Sequence, residues 1–116
     1  MIPPTGPFPR EARIRRSAEF QTVAKTGGRY ASGAFVLLIG PAPLSTRARL
    51  GVTVSRKVGN AVVRNRVKRL IREWFRRDGQ ALVAERDVVV IARASAADLS
   101  GAAAFAELSR IAQGAR

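Results

Sequence analysis

The spacing of apolar residues predicts three strands of two kinds. Residues 34–40 and 87–92 are almost continuously apolar, and the second run fits a strand covered on both faces. Residues 48–55 instead alternate apolar and polar side chains, which is typical of a strand with one buried face. Because Pro41 and Pro43 interrupt the chain after the first run, we expect residues 34–40 and 48–55 to form a hairpin.

A central helix is predicted over residues 60–77, with Asn60 as its N-cap and Asp78-Gly79 as its stop. Its apolar residues recur at intervals of three and four, which defines one face that packs against the rest of the fold. These residues are Val63, Val67, Leu70, Ile71 and Trp74.

Two further helices flank these elements. The first follows Ser17, which can act as an N-cap, and ends at Gly27-Gly28. The last covers residues 100–113, where the alanine content favours helix. Residues 1–12 contain four prolines and predict an extended basic arm.

The order helix, strand, strand, central helix, strand, helix predicts an α+β sandwich, with room for one more strand before the central helix. A chain of 116 residues, of which 47% are hydrophobic, is long enough for one buried core. We therefore expect a single domain over residues 13–113.

Charge narrows the class of partner. The chain has 21 Lys and Arg against 8 Asp and Glu, a net charge of +13. Such an excess opposes compaction unless a polyanion binds, so nucleic acid is the first candidate partner and an anionic membrane surface the second. We expect a cytoplasmic protein, because cysteine is absent and no apolar run suits a transmembrane helix or a signal peptide.

Composition also limits the chemistry. The chain has no histidine and no cysteine, which excludes a histidine base, a thiol nucleophile and metal sites built on either residue. The eight carboxylates are scattered among predicted helix ends and turns. We therefore expect neither catalytic residues nor a protein metal site.

The central helix carries a stripe of cations that recur every four residues. Like charges at this spacing repel, and Glu73 is the only acidic residue in 56–77 to relieve the repulsion, so the stripe predicts polyanion binding. A solvated helix face is the alternative. Asn65 adds a donor and an acceptor that can bond a sugar hydroxyl or a base edge, or it is an ordinary surface residue. The stripe consists of Arg64, Lys68, Arg72 and Arg76.

The centre of the chain resembles a known family. Residues 64–66, Arg-Asn-Arg, with the following Val-Lys-Arg-Leu-Ile-Arg of 67–72, resemble the signature of the bacterial ribonuclease P protein subunit. Residues 50–62 look like the strand and turn that precede this signature. The resemblance extends in the correct order over roughly residues 13–111. A basic ribosomal or DNA-binding protein and a membrane-surface protein are the alternatives that charge alone leaves open.

In that family the protein is a small partner of a large catalytic RNA, which removes the 5′ leader of precursor tRNA. The resemblance therefore implies two partners, the catalytic RNA and precursor tRNA, with no membrane and no obligate protein partner. It implies Mg²⁺ held mainly by the RNA. It also implies a βαβ unit of strand 48–55, the central helix and strand 87–93, with a left-handed crossover against the general rule.

The resemblance further implies two binding surfaces. The helix with the Arg-Asn-Arg signature faces the catalytic RNA, and a cleft between the first helix and the sheet takes the single-stranded leader. Ala24 and Leu38 occupy two cleft positions that are often aromatic in the family, which removes two stacking platforms. The implied RNA-binding residues are Arg56, Lys57, Arg64, Asn65, Arg66, Lys68, Arg69 and Arg72. The implied leader-binding residues are Phe20, Val36 and Arg93, with a core position as the alternative for Phe20.

Overall fold

The computed structural model describes residues 28–41, 49–83 and 86–114 and confirms the α+β fold class. Its sheet has four strands in the order β1-β2-β4-β3. The strands are β1 (Gly28–Ala31), β2 (Phe35–Pro41), β3 (Arg49–Val54) and β4 (Arg86–Ala92). The two long helices are the central helix (Ala61–Trp74) and the C-terminal helix (Gly101–Gly114). The predicted arm and first helix lie outside the described residues.

The strand pairing differs from the predicted hairpin. β2 runs antiparallel to β1 and to β4, whereas β3, among the described strands, pairs only with β4, in parallel. The hairpin prediction was therefore wrong. The physical reason lies in β4, whose apolar run is buried on both sides by inserting between the two strands expected to pair. The connection from β3 through the central helix to β4 forms the expected βαβ unit, and the hand of its crossover stays a prediction.

β1 is the further strand that the sequence did not locate. Gly28 was expected to end a helix, but it begins β1, which the turn at Ser32 joins to β2. The Ser32 hydroxyl oxygen accepts from the backbone N–H of Phe35 at 3.2 Å, and the Ser32 N–H donates to the Phe35 carbonyl at 2.8 Å. This local turn gives β2 its second antiparallel neighbour.

One face of the sheet packs against the central and C-terminal helices and forms the core. Every second residue of β2 and β4 points to this face, as the alternation of a strand requires. The largest fully buried aromatic residues of this core are Trp74, Phe35 and Phe75. The sheet residues of the core are Phe35, Leu37, Ile39, Leu50, Val54, Val88, Val90 and Ala92, and the helix residues include Val67, Ile71, Ala104 and Leu108.

The central helix begins as predicted and ends differently. The side chain of Asn60 accepts from the Val63 N–H at 3.0 Å, which confirms the N-cap. The predicted stop at Asp78-Gly79 was wrong, because a π-helical turn (Phe75–Gly79) continues into a short helix (Gln80–Leu82). Gly79 has right-handed helical angles, φ −65° and ψ −41°. A Cβ there would lie 2.8 Å from Trp74 Cη2, so this glycine gives room to a core aromatic residue instead of ending the helix.

Candidate nucleic-acid interface

The basic face of the central helix is oriented by the opposite, buried face. Val67, Ile71 and Trp74 are buried in the core, and this orientation directs the residues half a turn away toward solvent. Asn65 lies opposite the buried stripe and is exposed, as are Arg69 and Arg72. Lys68 is half-buried at the edge of this face. The amphipathic spacing thus presents a cluster of cations around one amide.

A short 3₁₀ turn (Arg56–Val58) before the helix adds two more cations. Val58 is buried and anchors the turn, while Arg56 and Lys57 are exposed. Gly59 follows with φ 156°, and a Cβ at that position would lie 2.9 Å from Val63 Cβ. A side chain is therefore strained at Gly59, and the tight backbone brings the cationic turn directly before the helix N-terminus.

The predicted stripe is not uniform at its ends. Arg64 is half-buried, and its Nε has no hydrogen-bond partner within the described part of the chain. Arg76 lies in the π-helical turn, forms an ion pair with Glu73, and has a side chain only 13% exposed. The cations best placed to meet a polyanion therefore lie in the middle of the helix and in the preceding turn. We call this surface the candidate RNA face, and it consists of Arg56, Lys57, Arg64, Asn65, Lys68, Arg69 and Arg72.

Arg66 does not share this outward placement. It is half-buried, and one of its terminal nitrogens donates to the carbonyl oxygen of Ala97 at 2.7 Å. Both terminal nitrogens lie 3.4 Å from the carbonyl oxygen of Leu99. These acceptors lie more than thirty positions away in the sequence, so helical periodicity gave no signal for them.

Sequence reasoning also missed Val62, which is 77% exposed and is the exposed large hydrophobic residue of the described chain. It occupies the first turn of the central helix, one turn before Arg66 and close to Asn65 on the helix surface. The available signal was an apolar residue three positions before Asn65, on the side of the helix opposite the buried stripe. An apolar side chain among cations offers a contact for the faces of sugars and bases.

The second face of the sheet carries a smaller apolar row. Val89 is buried, with Leu38 and Ile91 packed against it. The register pairs Val36 with Ile91 and Leu38 with Val89, so these four residues share the face opposite the helices. Val36, one of the residues implied for the leader cleft, is 5% exposed.

Arg93 follows β4 directly and is exposed. Its backbone N–H donates to the Ala34 carbonyl at 2.7 Å, and its angles of φ −91° and ψ 168° keep it extended. Arg93 lies two positions beyond Ile91, so its side chain falls on the second face, the same face as that of Ile91. Val36 and Arg93 lie at the same end of the second face, whereas Phe20 and Ala24 lie outside the described residues.

A buried ion pair lies at the other end of this second face. Asp87 is 2% exposed and accepts from Arg49 Nε at 2.9 Å and from its Nη2 at 2.6 Å. The two residues are register partners across β3 and β4. This bidentate pair fastens the edge strand of the βαβ unit to the centre of the sheet.

Within residues 28–41, 49–83 and 86–114, no three acidic side chains gather into a group that suits a metal ion. In the same ranges, neither long helix has the length and apolar character needed to cross a bilayer.

Comparison with known proteins identifies close relatives. The family model for Ribonuclease P matches residues 8–116. The ribonuclease P protein component of Halalkalibacterium halodurans is 48% identical over 91 residues, which cover 78% of this chain and 76% of that relative. The structure of the Staphylococcus aureus RNase P protein has a TM-score of 0.83 at 35% identity, covering 90% of this chain and 95% of that one.

A second Staphylococcus aureus structure is of an RNase P protein mutant with defective mRNA degradation activity. It matches with a TM-score of 0.76 at 33% identity, covering 91% of this chain and 86% of that one. Both structures share the α+β fold over most of either chain.

Proposed function

Because the chain belongs to the ribonuclease P protein family, we propose that it binds the catalytic RNA of that enzyme through the candidate RNA face and the 5′ leader of precursor tRNA along the second face of the sheet. In this proposal the RNA subunit, with its own Mg²⁺, cleaves precursor tRNA, and the protein binds and orients the RNAs. The chain acts in the cytoplasm as part of this ribonucleoprotein.

The observation that carries the proposal is the one-sided charge of the central helix. Val67, Ile71 and Trp74 fix one side of the helix in the core, so the opposite side, which carries the exposed Arg69 and Arg72, faces solvent. Cations along a helix attract phosphates without base specificity, and the Asn65 amide can add a bond to a sugar or base edge. A folded RNA provides both kinds of group over an extended surface.

The second face supports the leader assignment by its shape and chemistry. Leu38 and Ile91 are partly exposed aliphatic residues beside the buried Val36 and Val89, and Arg93 supplies a cation at the end of that row. Single-stranded nucleic acid is commonly held by apolar or aromatic platforms beside cations. Because Leu38 stands where a ring is frequent in the family, we expect the leader to be held less by stacking and more by Arg93.

The candidate RNA face is tested by the salt dependence of binding. We expect Arg69→Ala to reduce the log–log slope of catalytic-RNA affinity against salt by roughly 0.7–0.9, the contribution of one phosphate contact. Arg110→Ala is the matched control, because this arginine is also highly exposed, 74% for its side chain, but lies on the C-terminal helix. Equal slopes for wild type and Arg69→Ala, with the fold intact, would exclude this face as the RNA surface.

The leader surface is tested with the assembled enzyme. Arg93→Ala is expected to weaken binding of precursor tRNA more than binding of mature tRNA, because only the precursor carries a leader. Mature tRNA serves as the internal control for general loss of RNA affinity. A parallel loss for both tRNAs would place Arg93 outside the leader site.

The division of labour is tested by comparing cleavage with and without the RNA subunit. We expect the purified protein to leave precursor tRNA intact and to stimulate cleavage at low Mg²⁺ when the cognate RNA is present. An mRNA fragment belongs in the same assay, since one similar Staphylococcus aureus protein is a mutant with defective mRNA degradation activity. Mg²⁺-dependent cleavage of precursor tRNA by RNA-free protein would contradict the proposal.

A further inference from the structure

The guanidinium of Arg66 donates hydrogen bonds to the backbone of a distant segment of the protein. Its planar fork reaches two backbone carbonyl oxygens, those of Ala97 at 2.7 Å and Leu99 at 3.4 Å. Ala97 lies within the 3₁₀ turn Ala94–Asp98, which we call the 94–98 turn, and Leu99 follows that turn directly, before the C-terminal helix begins. A guanidinium can bridge two acceptors at once, whereas an ammonium acts as a single point charge.

The 94–98 turn is also tied to the sheet at its beginning. The Arg93 N–H donates to the Ala34 carbonyl at 2.7 Å, and the Ser95 hydroxyl donates to the Gly33 carbonyl at 2.8 Å. Ala96, in the middle, is 1% exposed. The turn is therefore held by the β1–β2 connection at one end and by Arg66 at the other.

The turn is a short 3₁₀ segment, whose bonds have poorer geometry than those of an α-helix. The Ala96 N–H donates to the Arg93 carbonyl at 2.9 Å, and the Leu99 N–H donates to the Ala96 carbonyl at 3.3 Å. Removing the Arg66 fork would leave the end of this turn without its donors from the central helix. The 94–98 turn, which would lose these bonds, directly follows Arg93.

We infer that Arg66 is a positioning residue that clamps the 94–98 turn to the central helix and thereby fixes Arg93 on the second face of the sheet. In this role Arg66 does not itself bind a phosphate. The role of Arg93 in this inference rests on the proposed function. The Arg-Asn-Arg segment 64–66 thus contributes to both proposed surfaces. Asn65 belongs to the candidate RNA face, and Arg66 acts on the second face through the 94–98 turn.

The structural half of the inference is tested on the free protein by amide hydrogen exchange. Arg66→Ala is expected to accelerate exchange of the Ala96 and Leu99 amides, which donate within the turn, while amides of the central helix keep their protection. Arg69→Ala, which removes an exposed guanidinium from the same helix, is the control and should leave both amides unchanged. Arg66→Lys should restore protection only in part. Unchanged exchange at Ala96 and Leu99 in Arg66→Ala would overturn the inference.

The functional half is tested with the catalytic RNA at a temperature where every variant is folded. Arg66→Ala is expected to keep the wild-type salt slope, whereas Arg69→Ala loses roughly 0.7–0.9 of it. Loss of a full contact from the slope in Arg66→Ala would show that Arg66 binds a phosphate, and the inference would fall.

A double-variant cycle then tests the link to Arg93. Arg66→Ala and Arg93→Ala should each lower the ratio of precursor to mature tRNA affinity severalfold, and the double variant should be no worse than Arg93→Ala alone. Independent, multiplicative losses would refute the link. If the wild-type enzyme shows no preference for precursor tRNA, the proposed function fails instead, and hydrogen exchange still decides whether Arg66 clamps the turn.

Discussion

Replacing Gly79 with alanine sets two opposite effects of known size against each other. Gly79 has right-handed helical angles, so at an open site the added methyl group would stabilise the helix by about 0.5–1 kcal/mol. Here the new Cβ would lie 2.8 Å from Cη2 and Cζ3 of Trp74 and 3.0 Å from its Cε3. Contacts this short require the indole or the backbone to move.

The indole has little room to yield. Trp74 is 0% exposed, and its Nε1–H donates to the Ser109 hydroxyl oxygen at 3.0 Å. Overpacking of a closed core costs about 1–3 kcal/mol. Subtracting the helix gain leaves an expected net loss of about 1 kcal/mol in the free energy of unfolding for Gly79→Ala, which corresponds to roughly 3–6 °C in melting temperature for a domain of this size.

Urea unfolding followed by circular dichroism measures this loss. Gly101→Ala is the matched control, because the same methyl group there meets Leu70 at an ordinary 3.4 Å, and we expect no loss of stability. In a Trp74→Phe background the clash disappears, so Gly79→Ala should become stabilising by about 0.5–1 kcal/mol. If Gly79→Ala stabilises the wild type, or destabilises both backgrounds equally, then leaving room for Trp74 is not the role of Gly79.

Four further predictions follow from the structure and the proposed function. Asp87→Asn removes the buried negative charge that Arg49 binds, and we expect a loss of about 2–4 kcal/mol in the free energy of unfolding, measured by urea titration. Asn60→Ala removes the N-cap bond and should destabilise by about 1 kcal/mol, whereas Asn60→Asp should retain most of the stability. Val62→Glu should weaken catalytic-RNA binding while leaving the melting temperature unchanged, because the side chain is 77% exposed; unchanged affinity would remove Val62 from the contact surface. Phe20→Ala should reduce precursor-tRNA affinity more than mature-tRNA affinity, whereas equal losses with a lowered melting temperature would identify Phe20 as a core residue.

Local spacing was sufficient to predict the central helix and its orientation. The apolar residues at intervals of three and four, the Asn60 cap and the cations between them depend only on neighbours within two turns. The positions of β2, β3 and β4 followed in the same way from apolar runs. The candidate RNA face was accessible from sequence for this reason, since a helix with one buried side must expose the other.

The pairing of strands was not accessible in this way. β4 lies between β2 and β3 in the sheet, although the whole central helix lies between it and both of these strands in the sequence. An apolar run states that a strand is buried, but it does not state which neighbours bury it, because every edge offers the same backbone donors and acceptors. The expected hairpin failed at this step.

For individual side chains, too, the sequence predicted the local setting, whereas the tertiary structure decided the contacts. The sequence predicted Arg66 as a cation on a helix and, wrongly, Gly79 as a helix stop. Only the tertiary structure brings Arg66 to the carbonyls of Ala97 and Leu99, and Gly79 against the ring of Trp74. The periodicity of a chain determines which side of each element is buried, because burial depends on the element's own geometry. Which groups meet there depends on how distant elements pack, and this information resides in no single stretch of the sequence.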